Sequence, residues 1–385
     1  MRVVYVSYDG ALDPLGSSQV VPYLIGLARG GVGITLVSFE KAERRRSPKA
    51  WTDLRERLQA CGIRWTPLAY HKHPRLPATL WDVLAGGRAI GRELRISQAR
   101  LVHCRGDVAM VMARAARLPR ATRLLYDVRA FFSDERVESG SWRRGGPLDQ
   151  IVRWMEIRNL RRADGIVVLT EAARSELSAR CPSLRPLRVI PTCVDLTVFT
   201  PRRPGDSPDH GLVYSGSLGT SYMARELVAF ARVASKAIPG RTLFLTPQVE
   251  EARRAGVTPD WAELRTVSPG DVPAWLRRAR ALFFIRPTLA KRASCPTKVA
   301  EALASGLPVV ANRGVGDLDD FLECAGVGVL LEGFSQEAYL RAAERLRRLL
   351  EDDNTAARCR RFAEARFSLE SGVAAYHELY RALSL

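Results

Sequence analysis

Pro296, Thr297, Lys298 and Glu301 combine a helix start, a cation and a carboxylate within a few residues. The full run is Ala293-Ser294-Cys295-Pro296-Thr297-Lys298-Val299-Ala300-Glu301, and Gly306 and Pro308 follow it. It reads as a polar loop, a helix beginning at Pro296, a glycine stop and a buried strand. Proline is favoured in a first helical turn, where its missing N–H would be unpaired anyway. The free backbone N–H groups at such a start, with the helix dipole, attract an anion. Lys298 adds a point charge there. Glu301, about one turn further on, can accept hydrogen bonds from two adjacent hydroxyls. A phosphate beside a diol is the outline of a nucleotide.

Other segments carry groups suited to the same work. The loop Asp9-Gly10-Ala11-Leu12-Asp13-Pro14-Leu15-Gly16-Ser17-Ser18 follows a strand pattern, with Gly16 allowing tight backbone and a serine able to cap the next helix. An ordinary capped loop would look the same. Gly216 in Val213-Tyr214-Ser215-Gly216-Ser217-Leu218-Gly219 would let the backbone approach a ligand. Arg286, Lys291 and Arg292 gather cations just ahead of the Lys298 helix, and each could equally be a solvated surface charge. His103, Arg105, Asp127 and Arg129 stand at or just past two further strand patterns. They could bind and activate an acceptor, or form an interdomain salt-bridge network.

These segments need a frame to bring them together. The chain has 385 residues, 46% of them hydrophobic, enough for two domains with sizeable cores. In the first half, strand patterns at 3–8, 34–39, 101–104, 124–127, 166–170 and 187–191 alternate with helical ones at 20–28, 48–59, 81–96 and 148–161. A second alternating set begins near Gly211. Alternation of this kind predicts parallel sheets covered by helices. Residues 201–210 are polar and aperiodic and read as a linker. Residues 367–385 carry apolar side chains at helical spacing.

Bulk properties narrow the function. The seven cysteines are scattered, with no paired or zinc-ligand spacing, and read as reduced thiols. No apolar run approaches the ~20 residues of a membrane span, and residues 1–8 open on a strand pattern rather than a signal peptide. A cytoplasmic protein is expected. The net charge of +18 favours anionic partners. No zinc finger, RNP motif or aromatic-interleaved basic stripe accompanies it, so nucleic acid is disfavoured and an anionic membrane surface preferred.

The Pro296-Thr297-Lys298…Glu301…Gly306…Pro308 motif resembles the nucleotide-sugar-binding motif of GT-B glycosyltransferases, in particular glycosyltransferase family 4. The resemblance implies an α/β protein of two doubly wound Rossmann-like domains facing across a cleft. Residues 1–200 would form the acceptor domain and 211–366 the donor domain, with the helix at 367–385 packing back on the first. It implies a retaining transferase that takes its sugar from a nucleoside-diphosphate sugar. Glu301 would bind the ribose hydroxyls. Gly16, Gly216, Ser217, Arg286, Lys291, Ser294, Cys295, Thr297 and Lys298 would surround the rest of the donor. His103, or Arg105 two residues on, would contact the sugar, with Asp127 and Arg129 beside it.

The motif also departs from the family. Many members carry an arginine where Ser217 stands and a lysine within the stretch that here reads Thr220-Ser221-Tyr222. The first of two glutamates falls on Ala293, which leaves sugar recognition to other groups, such as the backbone N–H groups of Ser294 and Cys295. This variant reads as a Pro-Thr-Lys subgroup. No Asp-x-Asp motif at a strand end offers to hold a metal against the diphosphate, so metal independence and no cofactor are expected. The favoured setting is assembly of a cell-envelope polysaccharide or glycolipid, peripheral on the inner face of the membrane. A small soluble natural product as acceptor, and donor binding without turnover, are the alternatives.

Overall fold

The computed structural model describes residues 1–181, 186–203, 205–219, 222–287 and 291–384, with the backbone alone for Arg75, Leu76 and Lys291. The chain divides into two compact units. The first comprises Met1–Ser133, Arg143–Ile190 and Leu369–Leu385; the second comprises Asp134–Trp142 and Pro191–Ser368.

The first unit is built on a seven-stranded parallel sheet. Its strands are β1 (Arg2–Ser7), β2 (Gly33–Glu40), β3 (Arg64–Ala69), β4 (Leu101–Arg105), β5 (Arg123–Asp127), β6 (Gly165–Val168) and β7 (Leu187–Val189). The order is β3-β2-β1-β4-β5-β6-β7. Strands buried on both faces need continuous apolar runs, and Val3–Val6 or Leu124–Tyr126 supply them. Crossovers between parallel strands are right-handed. Helices Arg75–Ser97, Asp107–Ala115 and Pro147–Arg162 therefore share one face of the sheet, and Val21–Arg29 and Pro48–Ala60 the other. The final helix, Leu369–Ser384, packs on Val21–Arg29 and β4.

The second unit holds a six-stranded parallel sheet. It comprises β8 (His210–Ser215), β9 (Arg241–Leu245), β10 (Ala262–Arg265), β11 (Ala279–Phe284), β12 (Val309–Asn312) and β13 (Gly328–Leu331), in the order β10-β9-β8-β11-β12-β13. Strand β8 thus starts on His210, the last residue of the polar segment read as linker. Two strands had no sequence signal. Both β3 and β10 lie at sheet edges, paired on one side only, and their side chains stay mostly half-buried or exposed. An edge strand needs no apolar run, and β3 even accommodates Pro67.

In each sheet the strand order reverses beside the first strand of the unit, at β1/β4 and at β8/β11. Ligands of open parallel sheets bind beyond the carboxyl ends of the strands at this point.

Candidate functional site

The end of β8 and the end of β11 flank the helix Thr297–Ala304 in the second unit. Thr297 is the first helical residue and Pro296 takes the position before it, one residue later than the sequence reading, because its ψ of 123° is extended. Lys298 is 7% exposed, and its Nζ has no hydrogen-bond partner of ordinary geometry among the described residues. It lies 4.1 Å from the ring centre of Tyr222 and 4.3 Å from that of Tyr214. These are cation–π contacts, which hold a cation without neutralising it. Burial lowers the Lys298 pKa below the ordinary lysine range; Tyr222 and Glu301 oppose that shift and Arg286 adds to it.

Gly216 closes the other side. Its φ is 127°, in the region only glycine adopts readily, and a Cβ there would meet Lys298 Nζ at 3.0 Å. Ser217 is exposed on the same loop, and its carbonyl accepts the Tyr214 hydroxyl proton. Arg286, just past β11, donates from Nη1 to Ser294 Oγ at 2.6 Å. Its main chain is fixed by buried Asn312, whose Oδ1 accepts from Arg286 N at 2.8 Å and whose Nδ2 donates to Arg286 O at 2.9 Å. Asn312 was not among the residues read from sequence; it ends β12, so only the strand pairing reveals it. Ala293 is buried, Cys295 half-buried and Arg292 exposed. The Lys291 side chain and residues 220–221 lie outside the described residues.

Glu301 stands one turn beyond Lys298. Part of it remains exposed, yet burial of the carboxyl raises its pKa to about 7, with Lys298 opposing. The structure therefore gathers Gly216, Arg286, Ser294, Lys298 and Glu301 at one switch point. The arrangement can accept an anion at the cation and offer a carboxylate to hydroxyls nearby.

The first unit places its charged residues differently. His103 is 1% exposed, inside the unit and beneath the final helix. Its Nδ1 meets the Tyr380 hydroxyl at 2.6 Å and its Nε2 lies 3.5 Å from Asp127 Oδ2. Tyr376 donates to the same Asp127 oxygen at 3.2 Å, and Arg129 Nη1 to the other at 3.5 Å. Burial would raise the Asp127 pKa, but Arg129, His103 and Arg105 together pull it far below the ordinary carboxylate range. Burial lowers that of His103, against Asp127. Here an ion network fixes the final helix to the sheet. Tyr376→Phe, which removes a bond to a charged acceptor, should cost about 1.5–3 kcal/mol in urea unfolding while leaving nucleotide affinity unchanged.

Gly16 is crowded by backbone: a Cβ would fall 1.9 Å from Gly10 O. That loop is pinned by buried Glu40, which accepts from Ala11 N at 2.7 Å. Arg105, ending β4, donates to Asp9 at 3.2 Å beside the β1/β4 switch point.

Sequence reasoning passed over His71 and Asp82. Asp82 is buried and accepts from His71 Nδ1 at 2.6 Å and from the Tyr8 hydroxyl at 2.9 Å. His71 follows β3 and is partly exposed. A carboxylate on Nδ1 fixes the imidazole orientation and tautomer. No motif signals the pair, because β3 itself is silent in the sequence.

Residues 20–193 match the family model described as "Glycosyl transferase 4-like domain". Residues 251–366 match "Glycosyl transferases group 1". The chain is a GT-B glycosyltransferase. Its two parallel-sheet α/β domains have the fold of several solved structures. A sucrose-phosphate synthase from Thermosynechococcus elongatus aligns with a TM-score of 0.70 at 17% identity, covering 100% of this chain and 99% of that one. A glycosyltransferase from Rickettsia africae aligns at 0.68 and 12% identity, covering 99% and 98%. Anabaena HepE, solved in complex with UDP and glucose, aligns at 0.68 and 13% identity, covering 99% of each chain. No curated protein matches this glycosyltransferase in sequence.

Among the described residues, no helix is long and apolar enough to cross a membrane. No group of three or more His, Cys, Asp or Glu side chains among them could hold a metal ion.

Proposed function

We propose that this glycosyltransferase takes a sugar from a nucleoside-diphosphate sugar and passes it to an acceptor hydroxyl, with retention of configuration and without a metal ion. The observation that carries the reading is Lys298. A buried ammonium held mainly by aromatic rings is costly, and a ligand that brings negative charge removes the cost. In glycosyl transfer, charge develops on the departing diphosphate. Lys298, Arg286 and the N–H groups at the start of the Thr297–Ala304 helix converge on the place where such a group would leave. Glu301 then stands where ribose hydroxyls would follow the phosphate. A fold neighbour solved with UDP and glucose supports the donor class.

The acceptor reading rests on the carboxyl edge of the first sheet. Arg105 with Asp9, and His71 held by Asp82, present polar groups there. The acceptor is a growing glycan, a lipid-linked sugar or a small molecule, and a cell-envelope polysaccharide or glycolipid is the product class we favour.

The experiment is thermal stability against UDP, GDP, ADP and their common sugar conjugates, for the wild type and Glu301→Ala. A ligand that binds only the folded chain stabilises it by RT ln(1 + [L]/Kd), about 2.7 kcal/mol at one hundred times Kd. A shift with one nucleotide, lost in the variant, is expected. No shift with any nucleotide would overturn the proposal.

A further inference from the structure

Helix Pro147–Arg162 is built inside out. Its two carboxylates turn inward: Asp149 is buried against Ser133 and Gly145 N, and Glu156 accepts from Ser133 N at 3.1 Å. Asn159 is buried as well, accepting from Arg114 at 2.9 Å. The outward face carries Leu148, Ile151, Trp154 and Ile157, with Ile151 59% and Trp154 57% exposed. Arg158 and Arg161 are exposed beside them, and the Arg158 guanidinium lies 4.5 Å from the Trp154 ring centre. An ordinary surface helix has the reverse pattern, apolar inward and mixed charges outward.

A second patch lies in the same layer. Helix Arg75–Ser97 exposes Leu80, Trp81 and Leu84, with Trp81 63% exposed. Helix Asp107–Ala115 packs against both of these helices. Each leaves the carboxyl edge of the first sheet and runs back across the same face, so the Leu80–Leu84 patch lies toward that edge, while the one at Leu148–Ile157 starts there and runs along most of its helix. They sit on the side of the unit where His71 and Arg105 present their polar groups.

The geometry points to an anionic lipid surface as the partner of this helix layer. Tryptophan and isoleucine on one exposed helix face, flanked by arginine and free of acidic side chains, is the pattern of a helix lying in a bilayer interface. The aliphatic stems of arginine can lie along the apolar ring while their heads reach lipid phosphates. Arginine beside tryptophan also suits a protein interface; what favours lipid is that this face carries arginine with no carboxylate to balance it, which complements an anionic headgroup layer. The overall charge of +18 adds long-range attraction to an anionic surface. The inference does not depend on the donor site, because vesicle binding is measured without nucleotide.

The test is co-sedimentation of the full chain with vesicles of phosphatidylglycerol and phosphatidylcholine, or phosphatidylcholine alone, at low and high salt. We expect binding to the anionic vesicles that weakens with salt. Ile151→Ser with Trp154→Ser should reduce it about tenfold or more, as should Arg158→Ser with Arg161→Ser. Trp81→Ser, on the other helix, should weaken it independently. Melting temperatures and the nucleotide-induced shift should stay at wild-type values, since these side chains are exposed. Bromine-labelled lipid should quench the wild type more than Trp154→Phe. Absence of binding to anionic vesicles, or equal binding by wild type and all variants, would overturn the inference. So would a stable dimer in free solution that the same substitutions dissociate, because that would assign the face to a second copy.

Discussion

Lys298→Met is expected to raise the melting temperature while cutting sugar transfer by about 10²–10³-fold, the scale seen when one preorganised donor to a developing anion is lost. Both effects have one source. The ammonium is buried beside Gly216 with no hydrogen-bond partner of ordinary geometry among the described residues. Removing a charge of this kind from water costs several kcal/mol. The rings of Tyr214 and Tyr222 return about 2 kcal/mol and Glu301 only a little, so a net cost remains in the empty site. Methionine fills similar space with no charge to desolvate. The gain should be about 1 kcal/mol, or about 2–4 °C in a domain of this size. On the proposed donor site the departing diphosphate would lose its buried cation at the same time, and Arg286, held by Ser294 and Asn312, would compensate only in part. Differential scanning fluorimetry and initial rates on the same preparation decide it. A destabilised variant with intact turnover would mean that Lys298 serves the core rather than the donor.

The motif that carries this argument was legible because its parts are close in sequence. Pro296, Lys298 and Glu301 lie within two turns of one helix, so spacing alone predicts their common site. The aromatic clamp was not legible. Tyr214 ends up against Lys298 because β8 and β11 are neighbours in the sheet, and no local pattern encodes that pairing. Asn312 is hidden for the same reason. His71 and Asp82 meet only because β3 joins the sheet edge, where neither apolar run nor alternation is needed.

His103 lies in the middle of β4 rather than at its end, and Tyr376 and Tyr380, far along the chain, cover it. The helical pattern over 148–161 was read correctly as a helix, but its apolar residues would ordinarily be assigned to the core. The inward polar face formed by buried Asp149 and Asn159 with half-buried Glu156 reverses that assignment, and periodicity cannot distinguish the two faces of such a helix.

Glu301 offers the sharpest dependence on pH. Its pKa of about 7 in the folded chain compares with about 4.3 for an unperturbed glutamate. The folded state holds this proton more tightly than the unfolded chain. The stability it contributes is therefore fully present below about pH 4 and is lost as pH rises through about 7. One pKa unit corresponds to about 1.4 kcal/mol, so the loss over the whole window is of order 4 kcal/mol. Glu301→Gln cannot ionise and should flatten the dependence of melting temperature on pH between about 4.5 and 7, becoming more stable than wild type at pH 8. Donor binding should run the other way. Ribose hydroxyls donate best to an ionised carboxylate, so a nucleotide sugar should bind wild type about tenfold tighter at pH 7.5 than at pH 5.5. Its diphosphate is esterified at both ends and has no proton to lose in that interval, which leaves the enzyme as the source of the change. The Gln variant should bind weakly and with little response to pH. Calorimetric titration of both proteins across this range measures the effect directly. A wild-type affinity that is flat, or that falls with rising pH, would remove Glu301 from the ribose and leave Lys298 to bind the phosphate alone.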